Sequence, residues 1–306
     1  LNFDVQILGC NSALAAHNRH PTSQLVGVNG NLYLIDCGEG TQDQMTFYGI
    51  KRFKIDHIFI SHLHGDHYFG LIGLLTSYIL LGRKTPLHIY GPSLLKDIID
   101  LQLTAGSARL SYEIIFHPTQ NKEKELLVKD NFISVYSFPL KHRIPTTGFI
   151  FEENEPLLRI NSKAVESLEL KKEDYDQLRM GKNVIYNGLE IDFKKVTLPA
   201  HKQRKYAFCS DTVYDEELIN YIQNVDLLYH ETTFTKREKD RAIMTMHSTS
   251  EDAAIIAQKA KVKELIVGHF SSKYQDLSIF VDEAREIFPN TNLATEGDIF
   301  SIEKAY

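Results

Sequence analysis

Residues 61–67 read Ser61-His62-Leu63-His64-Gly65-Asp66-His67, and no other segment restricts the possible folds so tightly. Four side chains able to bind a metal ion fall within six positions. They follow directly on residues 55–60, whose apolar side chains alternate at strand period. Packing does not call for three histidines and an aspartate in one glycine-containing loop. Imidazole and carboxylate together suit zinc, and also manganese or iron. One loop does not complete two metal shells, so further ligands must arrive from elsewhere in the chain.

The other candidates share a position. Asp36 closes the apolar run 32–35 ahead of Gly38 and Gly40, and His142 follows the run 132–138. Asp211 follows 206–209, His230 and Glu231 follow 227–229, and His269 follows 265–267. Polar residues at the ends of apolar strands are the pattern of function carried on loops at one edge of a rigid sheet. His17, His20, His57, His88, His117 and His201 fall outside this grouping, and His57 and His88, inside strand-like runs, read as structural. Such a donor set suits hydrolysis of a stable ester. Two metals about 3.5–4 Å apart make a nucleophile at neutral pH and neutralise charge on a phosphate. A carboxylate such as Asp211 is able to bridge both.

Strand signals at 31–35, 55–60, 86–90, 205–209, 226–229 and 264–267 alternate with helical spacing at 69–81, 94–103, 215–223, 250–261 and 277–288. Mixed strands and helices with apolar strands predict an α/β (α+β) architecture of sheets covered by helices. Residues 152–195 differ. They are rich in Glu, Lys, Asp and Asn, with weak helical spacing over 162–180, and read as an excursion from the core, a protruding arm. Lys171, Lys172, Arg179, Lys182 and the run His201-Lys202-Gln203-Arg204-Lys205 are candidates for phosphate contact.

Length and composition narrow the class. A chain of 306 residues, 43% hydrophobic, buries a substantial core. No apolar run approaches the roughly 20 residues that span a bilayer, and residues 1–16 lack the basic-then-apolar pattern of a signal peptide. Cys10, Cys37 and Cys209 do not make a disulfide framework and are expected to be reduced and buried, as in a cytoplasmic protein. A net charge of -6 argues against a general nucleic-acid coating protein but leaves room for a local basic patch.

The motif 61–67 resembles the histidine motif of the metallo-β-lactamase superfamily. Its flanks, Phe69-Gly70-Leu71-Ile72-Gly73-Leu74-Leu75 and the stretch from Leu81-Gly82-Arg83-Lys84 to Tyr90-Gly91-Pro92, are similar to ribonuclease Z, the tRNA 3′-processing endonuclease family. So are Asp36-Cys37-Gly38-Glu39-Gly40-Thr41-Gln42, Cys209-Ser210-Asp211-Thr212 and Gly268-His269-Phe270-Ser271-Ser272-Lys273-Tyr274. His230-Glu231-Thr232-Thr233-Phe234 and His247-Ser248-Thr249 resemble its paired catalytic loops, with Thr232 in place of the more usual alanine. The resemblance spans nearly the whole chain.

It implies one metallo-β-lactamase-fold catalytic domain over 1–306, an αββα sandwich of two mixed sheets flanked by helices, with 152–195 inserted as a tRNA-binding arm. It implies two zinc ions, one held by His62, His64 and His142, the other by Asp66, His67 and His269, with Asp211 bridging. Asp36 would orient ligands rather than bind metal. Asp66, Glu231 and His247 would be catalytic, the last two as a pair assisting proton transfer at the leaving group. The implied reaction removes the 3′ trailer from precursor tRNA after the discriminator nucleotide, leaving a 3′-hydroxyl on the tRNA and a 5′-phosphate on the trailer. The implied assembly is a cytoplasmic homodimer in which one subunit's arm grips tRNA for the other's active site. The arm departs from the family, since 156–183 has Gly181 but no Gly-Pro step. The alternative is a related metallo-phosphodiesterase acting on a small or different nucleic-acid substrate. A noncatalytic relic would have lost ligands, and this chain retains the full set. A thioester or β-lactam hydrolase shares the fold but not the later loops.

Overall fold

Two runs of parallel strands decide where functional side chains gather. In the computed structural model, which describes residues 2–306, one sheet has the order Ile299–Ser301, Phe3–Gly9, Ser23–Val28, Asn31–Ile35, Ile55–Phe59, Leu87–Gly91, Ile114–Pro118. Its last four strands are parallel neighbours. The second sheet has the order Thr291–Leu293, Glu264–Gly268, Leu227–Glu231, Lys205–Cys209, Thr146–Glu153, Ile133–Leu140, Glu125–Lys129. Its first four strands are parallel and the next joins antiparallel.

The inner faces share one core, in which Phe59 meets Phe149 and Phe151 with ring centroids 5.5 and 5.4 Å apart. Helices Leu71–Leu80 and Leu94–Ala105 lay Leu74, Leu75, Leu95 and Ile99 against Leu34, Ile58 and Ile89 of the first sheet. Helices Ser250–Lys259 and Ser278–Arg285 bring Ala253, Ile256 and Phe280 to the core of the second. The layers therefore run helix, sheet, sheet, helix, as expected. Burying alternate faces of apolar strands is the force behind this arrangement, at about 25 cal/mol per Å² removed from water.

Local departures have physical causes. The run 69–81 is a helix only over Leu71–Leu80, and Leu80, 86% exposed, lies on its solvent side. Residues 215–223 split into a 3-10 turn, Glu216–Leu218, and a short helix, Ile219–Ile222. Cys10, Cys37 and Cys209 are free and buried, and burial pushes the Cys37 thiol up to about 12. Among the described residues no helix is long and apolar enough to cross a membrane.

These elements belong to a larger unit, residues up to 152 with 205–302; 153–204 with 303–306 form a second compact unit. There Ser162–Val165, Lys172–Arg179 and Phe193–Val196 are short helices, and Val184–Tyr186 pairs with Leu189–Ile191. Its core is Val165, Leu178, Val184 and Val196. For His201, Arg204 and Lys205 of the run 201–205 the expectation of phosphate contact is corrected here, while Lys202 stays exposed. Arg204 is buried and grips Glu153 through two hydrogen bonds of 2.9 Å, and His201 reaches the same carboxylate at 2.9 Å. In the larger unit Lys205 pairs with Glu152 at 2.9 Å. Lys171, Lys172, Arg179 and Lys182 remain exposed.

Candidate metal centre

Parallel pairing carries strand ends to a common edge, where ligand sites of α/β sheets form. Asp36 leaves Asn31–Ile35 and His62 leaves Ile55–Phe59, whose strands are registered Ile35 to Phe59. In the second sheet Cys209 is registered with His230, and Glu231 with Gly268, so Asp211, Glu231 and His269 emerge together. His142 lies between Ile133–Leu140 and Thr146–Glu153. Asp36 and His269 take positive φ, 54° and 61°, a conformation non-glycine residues hold only when the surroundings impose it. Gly38 and Gly70 permit a close approach of the two loops. A Cβ on Gly70 would sit 2.2 Å from the Gly38 carbonyl, and one on Gly38 2.5 Å from that of Asp66. Cys37 N–H donates to the His67 carbonyl at 2.7 Å, which locks the Asp36 loop to the histidine motif.

The donors fall into two groups sharing Asp211. His62 Nε2 and His142 Nε2 stand 3.4 and 3.6 Å from Asp211 Oδ2, and 3.0 and 3.2 Å from His64 Nδ1. On the other side His67 Nε2 and His269 Nε2 stand 3.3 and 3.1 Å from Asp211 Oδ1, and 3.5 and 3.4 Å from Asp66 Oδ2. His67 Nε2, His269 Nε2 and Asp211 Oδ1 are buried without a hydrogen-bond partner. Such orphaned atoms are costly and rare. Ligands around a tetrahedral ion at about 2.0–2.1 Å lie about 3.3 Å from one another. The spacing and the orphaned atoms together fit divalent metal ions.

The remaining ring nitrogens are tied back. Asp36 Oδ2 meets His67 Nδ1 at 2.7 Å while its carboxylate accepts from Ser61 N–H at 2.7 Å and Ser61 Oγ at 2.9 Å. His269 Nδ1 meets Thr233 Oγ1 at 3.0 Å, and His142 Nδ1 donates to the Met246 carbonyl at 2.7 Å. These contacts fix tautomer and ring orientation so that the other nitrogen faces the site. Burial, joined for His62 by the charge on His67, lowers the pKa of His62 and His142 to about 4, which keeps them neutral as ligands must be. Burial opposes a charge on His67, but Asp211, Asp66 and Asp36 override it and raise its pKa well above the usual range. Asp211, against its own burial, is held well below the carboxylate range by His269, His67 and His62. The pocket thus favours positive charge among its carboxylates.

Glu231 is fully buried and accepts hydrogen bonds from the backbone N–H groups of Thr212, Thr233 and Ser248 at 3.2, 2.9 and 3.0 Å. His247 Nδ1 lies 2.8 Å from its Oε1. Burial would lower the His247 pKa, but the Glu231 charge outweighs it and raises it to about 9. Helix Ser250–Lys259 is capped by Thr249, whose hydroxyl accepts from Asp252 N–H at 3.1 Å, so His247 is not its cap. His230 points away from the cluster, as alternation along a strand dictates, and its Nδ1 meets the Glu231 carbonyl at 2.8 Å. Three contributors were not evident from sequence: Ser61, Thr233 and the Met246 carbonyl. Arg143 and the 63% exposed Phe69 also line the metal cavity, of about 320 Å³, with Asp66, Asp211, His247 and His269. For Arg143 the available signal was adjacency to His142.

Residues 3–158 match the family model described as Anti-Pycsar protein Apyc1. Over 301 residues, 98% of this chain and 95% of the relative, the sequence is 41% identical to Ribonuclease Z of Bacteroides thetaiotaomicron. It is 42% identical over 302 residues to Ribonuclease Z of Parabacteroides distasonis, covering 98% and 99% of the two chains. Among solved structures, human tRNase Z, short form, aligns with TM-score 0.71 and 28% identity over 98% of this chain and 99% of its own. The metallo-beta-lactamase fold protein YhfI from Bacillus subtilis aligns with TM-score 0.68 and 18% identity over 98% and 100%, a likeness of fold. The fold is that of the metallo-β-lactamase superfamily.

Proposed function

This chain belongs to the ribonuclease Z family, its first half also matching the Apyc1 family model, and from that premise we propose that it removes the 3′ trailer from precursor tRNA. It is a metal-dependent hydrolase of the metallo-β-lactamase fold. The cut falls after the discriminator nucleotide, leaving a tRNA 3′-hydroxyl and a trailer 5′-phosphate. The observation carrying this reading is the convergence of seven His and Asp donors from both sheets around orphaned buried atoms. The Apyc1 match ends before Asp211, Glu231, His247 and His269, so it covers five of the seven donors, His62, His64, Asp66, His67 and His142.

The site would hold two zinc ions, one with His62, His64 and His142, one with Asp66, His67 and His269, and Asp211 would serve both. When bound they supply a nucleophile at neutral pH and charge neutralisation for the phosphate. The chain's own residues do the rest. Asp36 holds His67 in the ligating orientation, and Asp66, whose Oδ2 accepts from the Ala13 N–H at 2.7 Å, lines the cavity where the phosphate would react. Glu231, held below the usual carboxylate range against its burial by the charge and hydrogen bond of His247, fixes His247 through Nδ1 and leaves Nε2 to carry the proton that the departing 3′ oxygen takes up. The segment 152–195 grips tRNA for the partner's site in a cytoplasmic homodimer.

The test is end-labelled precursor tRNA incubated with and without chelator, with the cut mapped to the nucleotide. A single metal-dependent cut after the discriminator supports the reading. Hydrolysis of a small diester without cleavage of precursor tRNA refutes it in favour of a smaller substrate.

A further inference from the structure

A second cavity adjoins the metal centre. It measures about 570 Å³, within the roughly 300–1,000 Å³ of small-ligand sites. His64 stands in the wall of both cavities and divides them. Their chemistry is opposite. The metal cavity carries Glu39, Asp66, Arg143 and Asp211, whereas no Lys, Arg, Asp or Glu lines the second. Leu63, Pro92 and Leu94 form part of its lining, and Ile144 and Pro145 another part. Leu94 is 65% exposed, an apolar side chain left to water in the absence of a ligand.

Ser93 and Thr119 add hydroxyls to this lining, and neither hydroxyl hydrogen-bonds elsewhere among the described residues. Each is both donor and acceptor. Apolar walls with a few free polar groups suit a planar heteroaromatic ring, stacked by its faces and read at its edge. They do not suit a phosphate, for which the lining offers no cation. A nucleotide joins a charged phosphate to a neutral aromatic base, and the two cavities repeat that division across one histidine side chain.

We propose that the cavity between Leu63, Leu94, Thr119 and Ile144 binds the nucleobase of a nucleotide flanking the scissile phosphate. This rests on the ribonuclease reading above. The base belongs either to the discriminator or to the first trailer nucleotide, and the chemistry is shared. Its role is positioning. The base fixed beyond His64 holds the phosphate in register over the metal ligands, so that selectivity for the cut is set beside the reacting atoms.

Thr119→Phe fills the cavity and Thr119→Val removes only the hydroxyl. Precursor tRNA carrying an abasic site at the discriminator, or at the first trailer position, removes the base instead. For the wild-type protein one of these abasic substrates should lose about 5- to 100-fold in kcat/KM, the worth of one stacked base. Thr119→Phe should lose a similar factor on intact precursor tRNA and nothing further on that abasic substrate. Thr119→Val should lose less. Metal content and hydrolysis of methyl p-nitrophenyl phosphate should stay within about twofold of wild type, since neither needs a base. If wild type cleaves precursor tRNA but both abasic substrates react normally, or if the losses from Thr119→Phe and the abasic site multiply, the base cavity is wrong and the ribonuclease reading stands. No cleavage of intact precursor tRNA by wild type overturns that reading, and the base cavity with it.

Discussion

The two compact units differ in what holds them. In the larger, two seven-stranded sheets bury a continuous aromatic and aliphatic core, and the metal donors hang from strand ends anchored in it. In 153–204 with 303–306, four buried apolar side chains and the Glu153–Arg204 pair stand in for a core. A buried ion pair is weak evidence of stability, because desolvation offsets much of its attraction. The difference teaches that the donor geometry is a property of the larger unit alone, so a change confined to the smaller unit leaves every donor in place.

The sharpest break is at Asp211, which faces both donor groups. Asp211→Ala should lose metal and hydrolysis together, by roughly 10³-fold or more on any phosphodiester, since the lost charge stabilisation is worth several kcal/mol. Metal analysis beside assays on tRNA and on a small diester checks this. Full activity in metal-free protein would sink the mechanism.

His247 should separate steps within the larger unit. His247→Ala is expected to keep near-normal metal content yet lose about 10²–10⁴-fold on precursor tRNA. The loss should shrink on a nitrophenyl ester, whose leaving group departs without a proton. An equal loss on both substrates would point to phosphate positioning instead of acid catalysis.

The smaller unit should behave in the opposite way. Replacing 155–182 with a short linker should lower kcat/KM on precursor tRNA on the order of 10-fold or more, as phosphate contacts are lost. Hydrolysis of the small diester should survive, because every donor lies outside the segment. Loss of both activities would mean that the segment supports the fold.

The same contrast governs what was legible in the sequence. Asn31–Ile35 and Lys205–Cys209 have the predicted bounds, because apolar strands of a deep core announce themselves by composition. The placing of Asp36, Asp211 and His269 after such strands was readable for the same reason. The orienting contacts were not. The Met246 carbonyl that holds His142 depends on a φ of 61°, which no residue type at 246 signals. In the smaller unit, 162–180 read as one weak helix and is two short ones, since few apolar residues constrain the period there. Arg204 read as a surface cation because its partner Glu153 lies 51 residues away.

The smallest expected effect concerns pH, and it too divides the units. His57 stacks on Tyr33 and His88 at centroid distances of 5.6 and 4.9 Å. Burial, helped by the charge on His88, lowers its pKa to about 4. The unfolded imidazole binds a proton near its ordinary value, about 6.5, while the folded one resists. Between those values the unfolded chain holds more protons, so the contribution of His57 is present above about 6.5 and is lost as pH falls toward about 4. In the smaller unit burial works against Glu153, but Arg204 and His201 keep its pKa below the usual value. Its contribution therefore persists until pH falls through the carboxylate range. The larger unit should soften first on mild acidification. His57→Phe preserves a stacked ring without a titrating proton. The drop in Tm between pH 7.5 and 5 should be smaller in this variant than in wild type by on the order of 2 °C, both measured with metal at saturation. Equal drops would remove His57 as the source and leave the acid response to the metal ligands, whose protonation releases the ions.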